Sequence, residues 1–414
     1  MAAFEEKIQK YAELAVKVGV NIQKGQTLVI FASISAVDFV RKISRTAYKN
    51  GANQVYIEWN DEKLQRLECE LASEEALTNI PMWKIKGYEK MAEEGAAFLY
   101  VLSPYIDNME GIDPDRINLA ANAVSEASRH FMEGLISMQT AWSVVAIPTV
   151  QWAKKVFPRL ESKEGIKKLW ESIFYVTRID CNNPVTAWKE HLNGLNEKTE
   201  LLNNKSFRFL HFKGPGTNLT IELPKNHLWV NGLNRNAKGT PFICNLPTEE
   251  VYTTPLKTGV NGTVQITKPL VYDGQLIDGF TLTFEKGRII DFSAKSGYEQ
   301  LKQMISTDEG TRYIGEVALV PHHSPISISK LIYYHTLFDE NAACHIAIGH
   351  AYTTGLKEGG MMTTEEREEN NINSSLIHID VMIGQEQLQV DGEREDGEIE
   401  PIFIQGNWTE YYKG

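Results

Sequence analysis

The chain has 414 residues, of which 42% are apolar and 23% charged, and its formal net charge is -12. That length suggests two domains rather than one. The acidic balance argues against a nucleic-acid binder, since no basic stripe stands ready to neutralise phosphates, and no run approaches the roughly 18 to 20 apolar residues needed to span a bilayer.

The N-terminus, Met1-Ala2-Ala3-Phe4-Glu5-Glu6-Lys7, has no basic stretch followed by an apolar core. No secretory signal is therefore visible. Cys69, Cys181, Cys244 and Cys344 are far apart and form no CxxC pair. They read as free thiols, not as a disulfide framework or a thiolate zinc site.

The first elements alternate. Phe4, Ile8, Tyr11, Ala15 and Val18 recur at helical spacing. Gly25-Gln26 leads into Thr27 to Ala32, a short apolar run of the kind that forms a buried strand. Ala36 to Tyr48 is amphipathic again, and Asn50-Gly51 stops it. Gln54 to Trp59, Ala97 to Leu102 and Val144 to Pro148 read as further strands. Strands alternating with helices imply βαβ units and a largely parallel sheet.

The texture changes after about residue 205. Phe207 to Leu223, Val264 to Ile266, Thr281 to Phe284 and Arg288 to Phe292 read as strands. Gly262, Asp273-Gly274, Asp278-Gly279 and Lys286-Gly287 supply turn residues between them, which is hairpin chemistry. The expected architecture is an α/β N-terminal domain, residues 1–195, with a largely parallel sheet. An α+β C-terminal domain rich in hairpins, residues 196–414, follows it, with Pro184 to Asn203 as a connecting helix. Met361 to Asn373 is polar and charged and reads as a solvated loop or helix face.

Several common signatures are missing. The first strand runs into Ser33-Ile34-Ser35 without GxGxxG, so the front half lacks the dinucleotide fingerprint. GxxxxGK[ST], GxSxG and HExxH are absent too, which argues against a P-loop NTPase, a nucleophile elbow and a single-zinc protease of the HExxH type. The front half reads as scaffold.

Chemistry concentrates further on. Six of the ten histidines lie between residues 322 and 378: His322, His323, His335, His345, His350 and His378. The segment Leu376 to Ile383 alternates, and a strand sends successive side chains to opposite faces. Ile377, Ile379, Val381 and Ile383 therefore share one face, and His378 and Asp380 share the other with Leu376 and Met382. An imidazole and a carboxylate two apart on an apolar strand are costly unless they bind something, and a divalent ion accounts for both. Glu316 sits within the strand-like run Gly315 to Val320. In Leu337 to Gly349, small apolar residues separate Glu340 from His345. A helix after Asn341 would place His345 and Tyr352 on one face about two turns apart. Glu249 and Glu250 stand together between Pro247 and Pro255. On an extended segment only one of them faces a given site, and the other turns to solvent or to a supporting position.

Glu250, Glu316, Glu340, His345, His378 and Asp380 thus make a plausible site. Four carboxylates and two neutral imidazoles carry a charge of about -4, which two divalent cations cancel; unpaired, the carboxylates would raise one another's pKa. The donor set suits zinc, cobalt, manganese or magnesium. Trp229, Met361 and Met362 are candidates either for a pocket wall or for core packing.

Four segments together resemble the M29 family of metallo-aminopeptidases, the aminopeptidase T, aminopeptidase S and aminopeptidase II group. They are Asn-Leu-Pro-Thr-Glu-Glu-Val at 245–251, Arg-Tyr-Ile-Gly-Glu-Val-Ala-Leu-Val at 312–320, Phe-Asp-Glu-Asn-Ala-Ala-Cys-His-Ile-Ala-Ile-Gly at 338–349 and His-Ile-Asp at 378–380. Lys213 to Leu219 is similar to the family as well. The resemblance implies metal ligands at Glu250, Glu316, Glu340, His345, His378 and Asp380, with an active-site tyrosine at Tyr352. It implies a cytoplasmic homodimer that removes N-terminal amino acids from peptides with a free N-terminus. Two metals roughly 3.5 to 4 Å apart would then share Glu316 and a bridging water, and Tyr352 would donate to the oxyanion of the tetrahedral intermediate. The residues alone leave two alternatives open: another dinuclear metallohydrolase, such as a dipeptidase or amidohydrolase, or a non-enzymatic binding protein stabilised by metal.

Overall fold

A computed structural model describes residues 2–105, 108–272, 275–359 and 362–412. The chain forms two compact units. The first comprises Met1–Lys189 and takes back Leu233–Leu246; the second comprises Glu190–Gly232 and Pro247–Gly414. The helix Pro184–Lys205 carries the chain from one to the other, where a connecting helix is expected from the sequence.

The sheet of the first unit has the order Gln54–Asn60, Thr27–Ser33, Ala97–Leu102, Trp142–Ala146, and all its pairings are parallel. Parallel neighbours need crossovers, and the helices between the strands supply them. The expected first helix is Ala2–Leu14, prolonged by a wider π-type turn over Ala15–Gly19. The last strand begins at Trp142 and ends at Ala146, short of Pro148, which has no N–H to give to a ladder. The returning segment contributes a short antiparallel pair, Leu233–Arg235 with Pro241–Ile243, and the Val144 N–H donates to Cys244 O at 2.7 Å. That return has no counterpart in the sequence reading, because strands this short show no periodicity.

The second unit is antiparallel. An eight-stranded sheet runs in the order Arg288–Ser293, Thr281–Glu285, Val260–Gln265, Thr217–Glu222, Phe209–Gly214, Gln389–Glu393, Ile399–Ile404, Asn407–Trp408. A five-stranded sheet runs His378–Met382, His345–Gly349, Ile314–Leu319, Val251–Thr253, Val230–Asn231. Phe212, Leu282 and Val390 of the first sheet and Val317, Ile346 and Val381 of the second belong to one buried apolar cluster. Trp229 is part of that core, not a pocket wall. Met362 packs on a small cluster of Ala351, Leu356 and Ile372, and Met361 lies outside the described residues.

The turn chemistry holds at Lys286-Gly287, where φ values of 48° and 80° close a two-residue hairpin between Glu285 and Arg288. Gly262 is different from expectation. It lies inside the strand Val260–Gln265 with φ +114°, and a Cβ there would stand 2.1 Å from Asn218 O. Asp273-Gly274 lies outside the described residues. The acidic segment after Met362 forms a helix, Thr364–Glu369, with no buried residue. Thr363 Oγ1 accepts from the Glu366 N–H at 3.2 Å, and Glu366 Oε2 accepts from the Thr363 N–H at 2.7 Å, a reciprocal cap. All four cysteines are free. Among the described residues, no helix is long and apolar enough to cross a membrane.

Candidate metal centre

The five-stranded sheet builds the site. In an antiparallel ladder, residues directly opposite share a face. Glu316 pairs with Ala347, and Ala347 pairs with Asp380, which makes one row across three strands. Ala318, His345 and Met382 make the next row, and Gly349 pairs with His378. Glu316, His345, His378 and Asp380 therefore share one face, with small residues between them. Val317, Ile346 and Val381 point the other way into the core. Both strands that carry Glu316 and His345 are buried along their whole length.

Two glycines shape this face. The register shifts between Ile314 and Glu316, and a Cβ on the intervening Gly315 would stand 2.4 Å from His350 O. Gly349 has φ +101°, and its Cβ would meet Ile377 O at 2.1 Å. The expected helix after Asn341 is not formed. Glu340–Ala342 is a single 3-10 turn, and His345–Gly349 is a strand between two neighbours. Pairing on both sides outweighs the helical tendency of the alanines. Tyr352 is brought to the site by the chain leaving that strand, not by a helix face. Its ring centroid lies 4.3 Å from that of His378.

Two triads of ligand atoms result, Glu250 with Glu316 and His345, and Glu316 with His378 and Asp380; within each, the atoms lie within 4.8 Å of one another. Glu250 Oε2 is 3.1 Å and Glu316 Oε1 is 3.6 Å from His345 Nε2. Glu316 Oε2 is 3.9 Å and Asp380 Oδ1 is 3.4 Å from His378 Nε2. The two oxygens of Glu316 thus face two different imidazoles. Glu340 is buried beside the triads without being in either. Its Oε1 accepts from Asn341 Nδ2 at 3.2 Å, and its charge is felt against Asp380, Glu250, His345 and Glu316.

The imidazoles are oriented by backbone. His345 Nδ1 lies 3.1 Å from Ala343 O, and His378 Nδ1 lies 2.7 Å from His350 O. A carbonyl only accepts, so each Nδ1 carries the proton, and the neutral ring turns its Nε2 lone pair toward carboxylates. Lone pair against anion is stable only with a proton or a cation between them. Asp380 Oδ1 is buried without a hydrogen bond among the described residues, an acceptor that a cation would satisfy. The donor set therefore fits divalent cations.

With protons alone, the strain shows in the titration. Burial opposes protonation of His378, but Asp380 and Glu316 push it up to about 9. His345 is likewise held well above its ordinary value, burial being outweighed by Glu250 and Glu316. Burial raises Glu316, and it raises Glu340 strongly, with Asp380 and Glu250 adding to it. Burial also acts to raise Asp380, but His378 and His345 bring it below the usual carboxylate range.

The remaining candidates fall elsewhere. Glu250 faces the centre, whereas Glu249 is not turned to solvent; it is buried, with Oε2 3.6 Å from His191 Nε2. His191 lies on the helix Pro184–Lys205, and no local pattern marked it. His335 is half-buried apart from both triads, and desolvation of its ring pushes it down to about 4. His350 contributes its carbonyl, and His322 and His323 lie in neither triad. Leu376, read as sharing the face of His378, precedes the strand and is 79% exposed.

The thermophilic metalloprotease (M29) family matches residues 4–408. Aminopeptidase 2 of Geobacillus stearothermophilus is 49% identical over 409 residues, covering 99% of each chain. Aminopeptidase AmpS of Bacillus subtilis is 46% identical, covering 99% of this chain and 100% of its own. The solved structure of wild-type AmpT from Thermus thermophilus superimposes with a TM-score of 0.93 at 40% identity, covering 98% of this chain and 100% of that one. The resemblance drawn from four short segments thus extends over nearly the whole chain, and the protein belongs to the M29 metalloprotease family as a hydrolase, a metallo-aminopeptidase.

Proposed function

We propose that the centre holds two divalent ions, one by Glu250, Glu316 and His345 and the other by Glu316, His378 and Asp380, with Glu340 completing the set. The observation that supports this reading is the position of Glu316, whose two oxygens each face a different imidazole. Zinc, cobalt, magnesium and manganese all suit such carboxylate and imidazole donors. When bound, a pair of such ions supplies a water of lowered pKa and polarises the scissile carbonyl.

The chain's own groups do the rest. The carbonyls of Ala343 and His350 hold both imidazoles in the tautomer that offers Nε2. Buried walls exclude competing water and strengthen each electrostatic contact. Tyr352, whose ring lies tilted against that of His378, donates its hydroxyl to the oxyanion as the peptide carbonyl becomes tetrahedral, a contribution on the order of 3 kcal/mol. The substrates on this reading are peptides with a free N-terminus, cleaved one residue at a time by a cytoplasmic homodimer.

Hydrolysis of leucine p-nitroanilide beside its N-acetylated form tests the proposal, before and after chelation and with divalent ions restored. The expected result is cleavage of the free amine alone, lost on chelation and recovered with metal. Equal cleavage of the blocked substrate would indicate a different hydrolase chemistry instead. A protein that binds ions and cleaves neither substrate would favour a structural metal.

A further inference from the structure

Asn341 is fully buried and sits next in the chain to Glu340. Its amide is used on both sides. Oδ1 accepts the Glu249 backbone N–H at 2.7 Å. Nδ2 lies 3.2 Å from Glu340 Oε1, 3.2 Å from Leu337 O and 3.4 Å from Pro247 O. One side chain thus joins the Pro247–Glu250 segment, which delivers Glu250, to the turn that delivers Glu340. These two carboxylates come from elements that are not paired strands, unlike Glu316, His345, His378 and Asp380, which the ladder itself aligns.

We infer that Asn341 is a positioning residue that sets Glu340 and the Glu250 segment against each other, and so tunes metal affinity through two carboxylates at once. The inference rests on the dinuclear reading above. An amide is suited to this task because it offers a donor and an acceptor in one plane. An apolar residue of that size would leave the Glu249 N–H and the Glu340 carboxylate without these partners in a buried place, which is costly. A carboxylate in its place would keep the acceptor for Glu249 and lose the donor to Glu340.

The experiment compares wild type with Asn341→Asp, Asn341→Leu, Glu340→Gln and the Glu340→Gln/Asn341→Asp double variant. Zinc and cobalt affinities are measured by chelator competition, the visible spectrum of the cobalt form is recorded, and the metal-free melting temperature is followed separately. Asn341→Asp is expected to fold and to bind metal about 10- to 100-fold more weakly, the range for groups that orient ligands, with an altered cobalt spectrum. In the double variant the Asn341 change should add less than it does alone, because its effect runs partly through Glu340. An Asn341→Asp protein with wild-type affinities and an unchanged cobalt spectrum would overturn the inference, even if its metal-free form melted lower. A purely structural role predicts that outcome, and Asn341→Leu would then lose stability without losing affinity. Wild-type protein that takes up no divalent ion would overturn the metal reading itself, and this inference with it.

Discussion

The central strands of the first unit, Thr27–Ser33 and Ala97–Leu102, bury Leu28, Val29, Ile30, Phe98 and Leu99 and carry no carboxylate or imidazole. The strands Ile314–Leu319 and His345–Gly349 of the second unit are buried from end to end and still carry Glu316 and His345. Both sheets solve the backbone problem in the same way, by pairing. They differ in what one face costs. An isolated buried charge is expensive, and even a good ion pair often gains little over apolar packing. The second sheet keeps its charges, with the imidazoles aimed by backbone carbonyls, and this is an arrangement that a cation stabilises and a proton only patches. The contrast separates residues that hold the fold from residues that, on the proposed reading, hold the chemistry, although both are equally buried.

The largest effect should come from Glu316→Gln, which removes the group shared by both triads. Activity is expected to fall by at least ~1,000-fold, the scale seen when a member of a catalytic unit is lost, with metal content reduced in the same sample. Full metal occupancy and ordinary turnover would erase the distinction between the two sheets. Tyr352→Phe should lower kcat by roughly 100- to 1,000-fold while leaving metal content intact; unchanged turnover would remove Tyr352 from the chemistry. Next come two apolar controls. Ile30→Ala in the first sheet and Ile346→Ala in the second should each destabilise their unit by about 2–5 kcal/mol. Denaturant unfolding measures this, and metal binding by folded Ile346→Ala protein should persist, since that side chain points away from the proposed ligands.

The smallest effect is one of pH on the metal-free protein. His378, held at about 9 by Asp380 and Glu316 against burial, binds its proton more tightly when folded than when unfolded. Its stabilisation is complete below an unfolded value of about 6.5 and is lost as pH rises through about 9. Glu316, raised chiefly by burial, contributes with the same sign. The melting temperature of chelated protein should therefore drop by a few degrees across that window. With zinc bound the slope should flatten, because the ligands are already deprotonated. Equal slopes with and without metal would mean that the ions bind elsewhere.

The legible part of the site was local. Alternation in Leu376 to Ile383 separates His378 and Asp380 from the isoleucines without any knowledge of neighbours, because the strand period is two. The hairpin at Lys286-Gly287 was legible for a similar reason, since two residues with positive φ close it. A helix is expected at His345 and a strand is found, because Ala342 and Ala343 suit either conformation and only the flanking strands decide between them. Gly262 was read as a turn residue, yet its requirement is the close approach of Asn218 across a strand pair, which is a long-range fact. Leu376 was assigned to the face of His378 by extending the alternation past the point where pairing stops.

Residue type and spacing by themselves determined the α/β and hairpin-rich classes of the two parts, and they pointed to Glu250, Glu316, His345, His378 and Asp380 as groups that could hold a metal. The tertiary structure alone decided that Glu316, Ala347 and Asp380 fall in one row. It also decided that Asn341 ties Glu249 to Glu340, and that Leu233–Leu246 returns to the first unit. Register and return paths are set by contacts between residues far apart in the chain, where a shift of one position turns every side chain to the other face. No window of neighbouring residues contains that information.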